Sequence, residues 1–355
     1  MRHVDIISPP AVPASRRPTS APRVAVVGAG VAGLSAARTF AARGFAVQVF
    51  DRGRRPGGRC STRRTSLGSF DHGAQYFTAR DARFIAEIAR LRRAGHVAPW
   101  PGRVVALEAG AVTGIAPCVR HVAVPTMDAF VEQLAAGQAI HQQTKVAAAH
   151  PDERGWLLVA ASGAELGRFD GLVLALPPEQ ALPLVPRRLA LREMLRTLAS
   201  APCWALLLAF DARLPLAYDG AFVTDAALRW IARDSAKPAR GAGERWVAHA
   251  NPAWSAARLH FDADTVAAQL VDAFWRTTAL APRRPVYRAA HRWALARPDA
   301  EPPGTPCEPQ LALAACGDWC HGGRIEGAWL SGLEAGEAVA GALRGTVPGR
   351  FGARV

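Results

Sequence analysis

The sequence predicts an α/β protein: a parallel nucleotide-type sheet with a mixed α+β domain inserted into it. Three observations predict this. Residues 24–51 run as apolar strand, glycine-broken turn, alanine-rich helix and second apolar strand. Residues 185–306 differ, being rich in tryptophan and short strands, with one amphipathic helix at 264–274. From residue 311 the chain returns to its opening style, an apolar strand followed by a small-residue helix over 327–343. A first domain assembled from the start, middle and end of the chain fits that alternation.

The opening unit carries its own chemistry. Val24–Val27 leads directly into Gly28-Ala29-Gly30-Val31-Ala32-Gly33, and the second strand, Ala46–Phe50, ends on Asp51. In this Rossmann-like fingerprint Gly28 permits the tight turn, Gly30 lets the backbone approach a pyrophosphate, and Gly33 lets the helix pack on the strand. The helix N-terminus offers N–H groups and partial positive charge to phosphates, along Gly30, Val31 and Ala32. Asp51 is placed to accept hydrogen bonds from an adenosine ribose. The strand, helix and acid around the glycines point to an adenine dinucleotide.

A basic, glycine-rich loop follows, from Arg52 through Gly57-Gly58-Arg59, and suits a second cofactor contact. Residues 69–78 close this compact unit. Residues 81–95 read as a helix with Phe84, Ile85, Ile88 and Leu91 on one side. Residues 100–124 read as a small antiparallel sheet, and 128–134 as a short helix. Residues 145–149 and 156–159 form a hairpin around a Pro-Asp-Glu-Arg-Gly turn. Residues 169–176 have the unbroken apolar character of a parallel strand buried on both faces. Strands are expected at 204–210 and 246–250.

Length and composition bound the function classes. The 355 residues are half hydrophobic and one fifth charged, enough for two domains and a large core. No apolar run reaches the roughly 18 residues of a membrane span. Residues 1–22, rich in Pro, Ser and Arg, read as a disordered tail, and no apolar segment follows Arg16-Arg17, so a cytoplasmic protein is expected. The net charge of +14 comes from scattered arginines, since Lys145 and Lys237 are the only lysines. That scatter argues against nucleic acid as a partner. The six cysteines show no second cluster to complete a metal site around Cys316 and Cys320, so no metal is expected.

Several blocks together resemble the flavoprotein amine-oxidase superfamily, and more closely its renalase-like bacterial branch. They are GAGVAGLSAA, RPGGR at 55–59, FDHGAQYFTAR at 70–80, SAKPAR at 235–240, WVAHANPAWS at 246–255 and CGDWCHGGRIEGAWLSG at 316–332. The resemblance spans residues 23 to about 343. It implies FAD in a discontinuous domain of residues 23–80, 140–180 and 308–345, and non-covalent binding is expected because the sequence carries no convincing cysteine or histidine attachment signal. The substrate domain would comprise 81–139 and 181–307, with a C-terminal tail at 346–355. By the same resemblance, Gly58 and Arg59 sit near the phosphates and ribityl chain, and Val146 meets adenine through its backbone. Asp318 contacts the phosphate-ribityl arm. Glu326, Gly327 and Ala328 begin a helix facing the flavin O2, an arrangement that favours negative charge on the ring. Gln75 and Tyr76 line the flavin.

The reaction is read from absences and from the blocks. Many amine-oxidising members keep a lysine near flavin N5 in the substrate domain, and this chain has none from 238 to 355. Those enzymes often frame the amine with paired tyrosines, whereas Tyr76, Tyr218 and Tyr287 are the only tyrosines here. The renalase-like resemblance implies an oxidase for 2- or 6-dihydro isomers of NAD(P)H, with O2 as acceptor and H2O2 as product. Tyr76, His249 and Trp293 are the expected catalytic-pocket residues. Lys237 and Arg240, in the SAKPAR loop, either assist capture of a substrate pyrophosphate or are simply an exposed basic loop. An amine oxidase and a flavin-binding redox sensor are the alternatives.

Overall fold

The computed structural model describes residues 21–299 and 304–345. The tails expected at 1–22 and 346–355 lie outside the described residues, apart from 21 and 22. A six-stranded sheet runs in the order Cys307–Glu308, Leu313–Ala315, Gly171–Leu174, Arg23–Val27, Ala46–Phe50, Ile140–His141. It is parallel throughout except at the Cys307–Glu308 edge. Its central strand is apolar on both faces because both are covered. Val24 and Val26 pack with helix Val31–Ala42, while Ala25 and Val27 pack with Trp156, Leu158 and Phe169 of a second sheet.

That second, three-stranded sheet consists of Val146–Asp152, Gly155–Ala160 and Glu165–Phe169. The expected hairpin is there, with a third strand added. Phe169 belongs to that added strand, so the buried parallel strand is shorter than the sequence suggests and starts at Gly171.

Two glycine contacts set the helix positions. A Cβ on Gly33 would lie 1.9 Å from the Gly28 carbonyl oxygen, so only glycine lets the first helix sit on the turn. On the C-terminal helix, Ile325–Arg344, a Cβ on Gly332 would lie 2.0 Å from the Ala32 oxygen. The two helices therefore meet backbone to backbone, and Ser35 Oγ donates to the Trp329 oxygen across the seam at 2.7 Å.

A seven-stranded sheet forms the other half. Its order is Tyr287–Pro298, Ser200–Phe210, Glu244–Ala250, Leu228–Arg233, Gly220–Thr224, Val104–Glu108, Ala111–Ile115. The last two strands are the hairpin read from residues 100–124. They do not form a sheet of their own, because Val104–Glu108 pairs in parallel with Gly220–Thr224. One face buries Trp246, Leu206 and Leu208 against Val266, Leu270 and Phe274 of helix Ala263–Thr278. From the other face, Trp230 and Ala232 join the core built around the first helix.

Residues 81–139 divide between the two halves. Helices Ala82–Arg93 and Asp128–Ala135 place Phe84 and Phe130 in the same core as Phe40 of the first helix. Phe84, Ile88 and Leu91 are buried as expected. Ile85 is 47% exposed, because it lies about 100° round the helix from Phe84 and off the buried stripe.

Candidate active site

The first functional region is a backbone cradle. The first helix begins at Val31 with no side-chain cap on its N-terminus. Nothing lies within 4 Å of where a Gly30 Cβ would be. The basic loop folds back onto this turn, with Gly57 N donating to the Ala29 oxygen at 3.0 Å. A Cβ on Gly58 would lie 3.7 Å from the Gly30 Cα. Asp51 holds the cradle from below, one oxygen accepting from Ala29 N at 2.7 Å and the other from Gly53 N at 2.6 Å. Each carboxylate oxygen retains a further lone pair for a ribose hydroxyl. Arg52 is exposed at the start of the loop.

Arg59 reaches across to the other end of the chain and pairs with Asp318 at 2.6 Å, also donating to the Ala296 oxygen. Beyond Asp318, the C-terminal helix starts without a side-chain cap, with Gly327 and Ala328 in its first turn. The N-termini of both long helices and the Arg59–Asp318 pair thus belong to one region, joined through the packing of helix on helix. Val146 is buried at the end of its strand, where the ladder slips register before Ala148.

The second region is a wall of aromatic and imidazole rings. Residues 71–76 have no regular secondary structure and cross between the basic loop and the seven-stranded sheet. Ala74 N donates to the Arg59 oxygen, and the His72 oxygen accepts from Trp293 Nε1 at 3.0 Å and lies 3.2 Å from His249 Nε2. Across the sheet, Phe222, Trp230, His249, Ala205 and His291 form one register row and therefore share a face. His72, His291 and Trp293 pack ring on ring, with centroids 4.4–5.1 Å apart. Tyr76 packs against Trp230 at 5.4 Å and Trp100 at 6.2 Å, and the Arg120 guanidinium lies 5.1 Å from its ring centroid.

The rings are neutral. Burial pushes His72 down to about 3, helped by the nearby His291 and Arg63, and pushes His249 and His291 down to about 4. Because His249 Nε2 faces a carbonyl, it must carry the proton, leaving Nδ1 as an acceptor. Arg63 donates to His291 Nδ1 at 3.3 Å, so His291 carries its proton on Nε2. Buried and without a hydrogen-bond partner among the described residues are the Trp100 and Trp230 indole N–H groups, Arg120 Nε and His72 Nδ1.

Comparison with known proteins decides what the cradle serves. Residues 26–91 match the model of an NAD(P)-binding Rossmann-like domain. Residues 118–340, more than half of the chain, match the flavin-containing amine oxidoreductase model. This chain belongs to the flavin-containing amine oxidoreductase family. Among solved structures, it is similar to a putative protoporphyrinogen oxidase from Exiguobacterium sp. 255-15, at 14% identity and TM-score 0.72. That match covers 92% of this chain and 99% of the other. A putrescine oxidase bound to putrescine aligns at 14% identity and TM-score 0.68, covering 91% and 100%. At that identity these two likenesses establish the fold.

As a member of the flavin-containing amine oxidoreductase family, the chain uses FAD. The open face at Gly30, the uncapped helix N-termini and the Arg59 cation are a donor set that fits its pyrophosphate.

One expectation needs correction. Lys237 and Arg240 are not an exposed basic loop, nor free to catch a substrate. Both side chains are fully buried and ion-paired, Lys237 with Asp234 at 2.6 Å and Asp71 at 3.3 Å, and Arg240 with Asp71 at 2.7 Å. One Glu326 oxygen, Oε1, accepts from the backbone N–H groups of Arg80 and Asp81, at 2.5 and 2.8 Å, and so ties the start of the C-terminal helix to the helix Ala82–Arg93. The Gln75 side chain donates to the Asp71 and Gly73 oxygens and accepts from Lys237 at 3.3 Å. The structure also brings in His72, His291, Trp100 and Trp230, which sequence reasoning missed. His72 was visible within FDHGAQYFTAR; the others are joined to the wall only by strand pairing and loop packing.

Proposed function

We propose that this flavoenzyme oxidises dihydropyridine dinucleotides, the 2- or 6-dihydro isomers of NAD(P)H, rather than amines. A hydride would pass from the ring to the FAD, leaving NAD(P)+, and O2 would accept the two electrons and two protons as H2O2. Bound FAD supplies the two-electron acceptor; the rest falls to the chain. The carrying observation is the charge around the wall. Arg63 and Arg120 touch His291 and Tyr76, and neither pairs with a carboxylate among the described residues. Arg229 adds a third positive charge felt by His249. An ammonium would be repelled there, whereas a dinucleotide brings phosphates and carbonyls. The Lys237 amine is saturated by three acceptors and so is not a free lysine beside the flavin.

The chain's residues would then bind and orient. Tyr76, Trp230 and Trp293 offer flat apolar faces to a ring and exclude water. The unpartnered indole N–H groups of Trp100 and Trp230 suit acceptor atoms on the donor. His249 Nδ1 would accept an N–H such as that of a carboxamide. Gly28, Gly30, Gly33, Asp51, Arg59 and Asp318 would hold the FAD. Binding is non-covalent in this reading, since burial pushes the Cys320 thiol up and keeps it from acting as a nucleophile. We also propose a cytoplasmic setting, on the ground that the cysteines are free thiols. None of the described helices is long and apolar enough to cross a membrane.

Anaerobic stopped-flow spectroscopy tests the reading. Rapid bleaching of the flavin by 2- or 6-dihydro-NAD(P), with ordinary 4-position NADPH far slower, is expected. Rapid bleaching by a simple amine and no response to any dihydropyridine selects amine oxidation instead. A yellow protein that no small donor reduces quickly selects a sensor.

A further inference from the structure

We propose that Lys237 and Asp234 are positioning residues that set the shape of the flavin-side segment 71–76 from the far side of the domain interface. This goes beyond the identity of the hydride donor and does not depend on it. Segment 71–76 has no strand or helix ladder to define it. Its form comes from a buried quartet of Asp71, Asp234, Lys237 and Arg240, whose side chains have no solvent exposure. Asp71 comes from the segment itself; the other three come from the connection between strands Leu228–Arg233 and Glu244–Ala250.

Every group in the quartet is spoken for. Lys237 Nζ donates to Asp234 Oδ1 at 2.6 Å, Asp71 Oδ2 at 3.3 Å and Gln75 Oε1 at 3.3 Å, one acceptor for each of its three N–H groups. Asp71 Oδ1 accepts from Thr62 Oγ1 at 2.8 Å and Met127 N at 3.0 Å. Asp234 Oδ2 accepts from Asp71 N at 3.3 Å. Gln75, held by Lys237, donates back to the Asp71 and Gly73 oxygens and so closes the segment on itself. The residues enclosed in this loop are those that meet the site. The His72 carbonyl orients His249 and Trp293, and Gly73 packs so close to Arg59 that a Cβ would lie 2.0 Å from its carbonyl oxygen. Tyr76 follows at once and enters the aromatic wall.

Buried ion clusters contribute little to stability compared with apolar packing of the same volume, and removing a balanced pair is often close to neutral. That property separates positioning from stabilisation. The charge-balanced variant Asp234→Asn/Lys237→Met keeps the Asp71–Arg240 pair and should fold, load FAD and melt near the parent temperature. Its visible flavin circular dichroism should nevertheless change. Its oxidised–reduced flavin equilibrium, measured by chemical reduction with no enzyme substrate, should shift about tenfold, or about 30 mV for a two-electron couple. Gln75→Leu, which leaves all four charges in place but cuts the Lys237–Gln75 link together with the Gln75 bonds to the Asp71 and Gly73 oxygens, should change the spectrum in the same sense. A loaded double variant with the parent's dichroism and potential overturns the proposal. If the double variant does not fold, Gln75→Leu decides alone: a parent-like flavin spectrum overturns it, and an altered one supports it.

Discussion

The cradle around Gly30 and the segment from Asp71 to Tyr76 are joined through Arg59 and its loop, yet they are built on opposite principles. The cradle is held by backbone. Gly28 N donates to the Phe50 oxygen, Gly57 N to Ala29 and Leu34 N to Gly30, and Asp51 is the one side chain in the arrangement. The segment is held by side chains, with four buried charges and an amide standing where a ladder would be. A phosphate is the same in every dinucleotide, so a fixed backbone shape serves it. Under the proposed function the wall must suit one substrate, and it is set by side chains drawn from two halves of the chain.

The contrast can be broken hardest at Asp71. Asp71→Ala leaves Lys237 and Arg240 with Asp234 as their single carboxylate, and should cost about 3–5 kcal/mol in denaturant unfolding. The cradle should fail by crowding instead. Gly33→Ala pushes a methyl into the Gly28 carbonyl and should cost about 3 kcal/mol, with loss of bound FAD in the same preparation. If Gly33→Ala kept full stability and colour, the backbone account of the cradle would be wrong.

Smaller effects sharpen the difference. Asp51→Ala should weaken FAD binding by roughly 1.5–3 kcal/mol for each lost charged hydrogen bond, read by equilibrium dialysis, while the aromatic wall is unaffected. Asp318→Ala should act in the same direction, because Arg59 loses the carboxylate that holds its guanidinium in place. The smallest expected effect concerns pH. Buried His72 and half-buried His249 and His291 titrate near 3, 4 and 4, below their ordinary 6.5, so between those values the unfolded chain binds more protons than the folded one. The stability due to the neutral rings is fully present above pH 6.5 and is lost as pH falls toward 4. The melting temperature should therefore drop through that window, less steeply in His291→Gln. An equal slope in both proteins would remove His291 from the account.

Much of the parallel sheet and its turn was legible in the residues, because strand, glycine turn and helix are local matters of sterics and periodicity. The strands 204–210 and 246–250 were legible for the same reason. The partner of Val104–Glu108 was not, since parallel pairing with Gly220–Thr224 joins segments more than a hundred residues apart. Lys237 was misread for a related reason. A lysine beside proline and arginine in a loop looks solvated until Asp71, 166 residues away, is seen to neutralise it.

By itself, the sequence determined the dinucleotide cradle, the helix that follows it and the aromatic, lysine-poor character of the second half. Each depends on neighbours within a few residues, where chain stereochemistry leaves few choices. The tertiary structure decided which rings share a face, which histidines stay neutral and which cations are consumed in ion pairs. Desolvation and charge pairing depend on distance in space, and no spacing along the chain encodes that until the strands have found their partners.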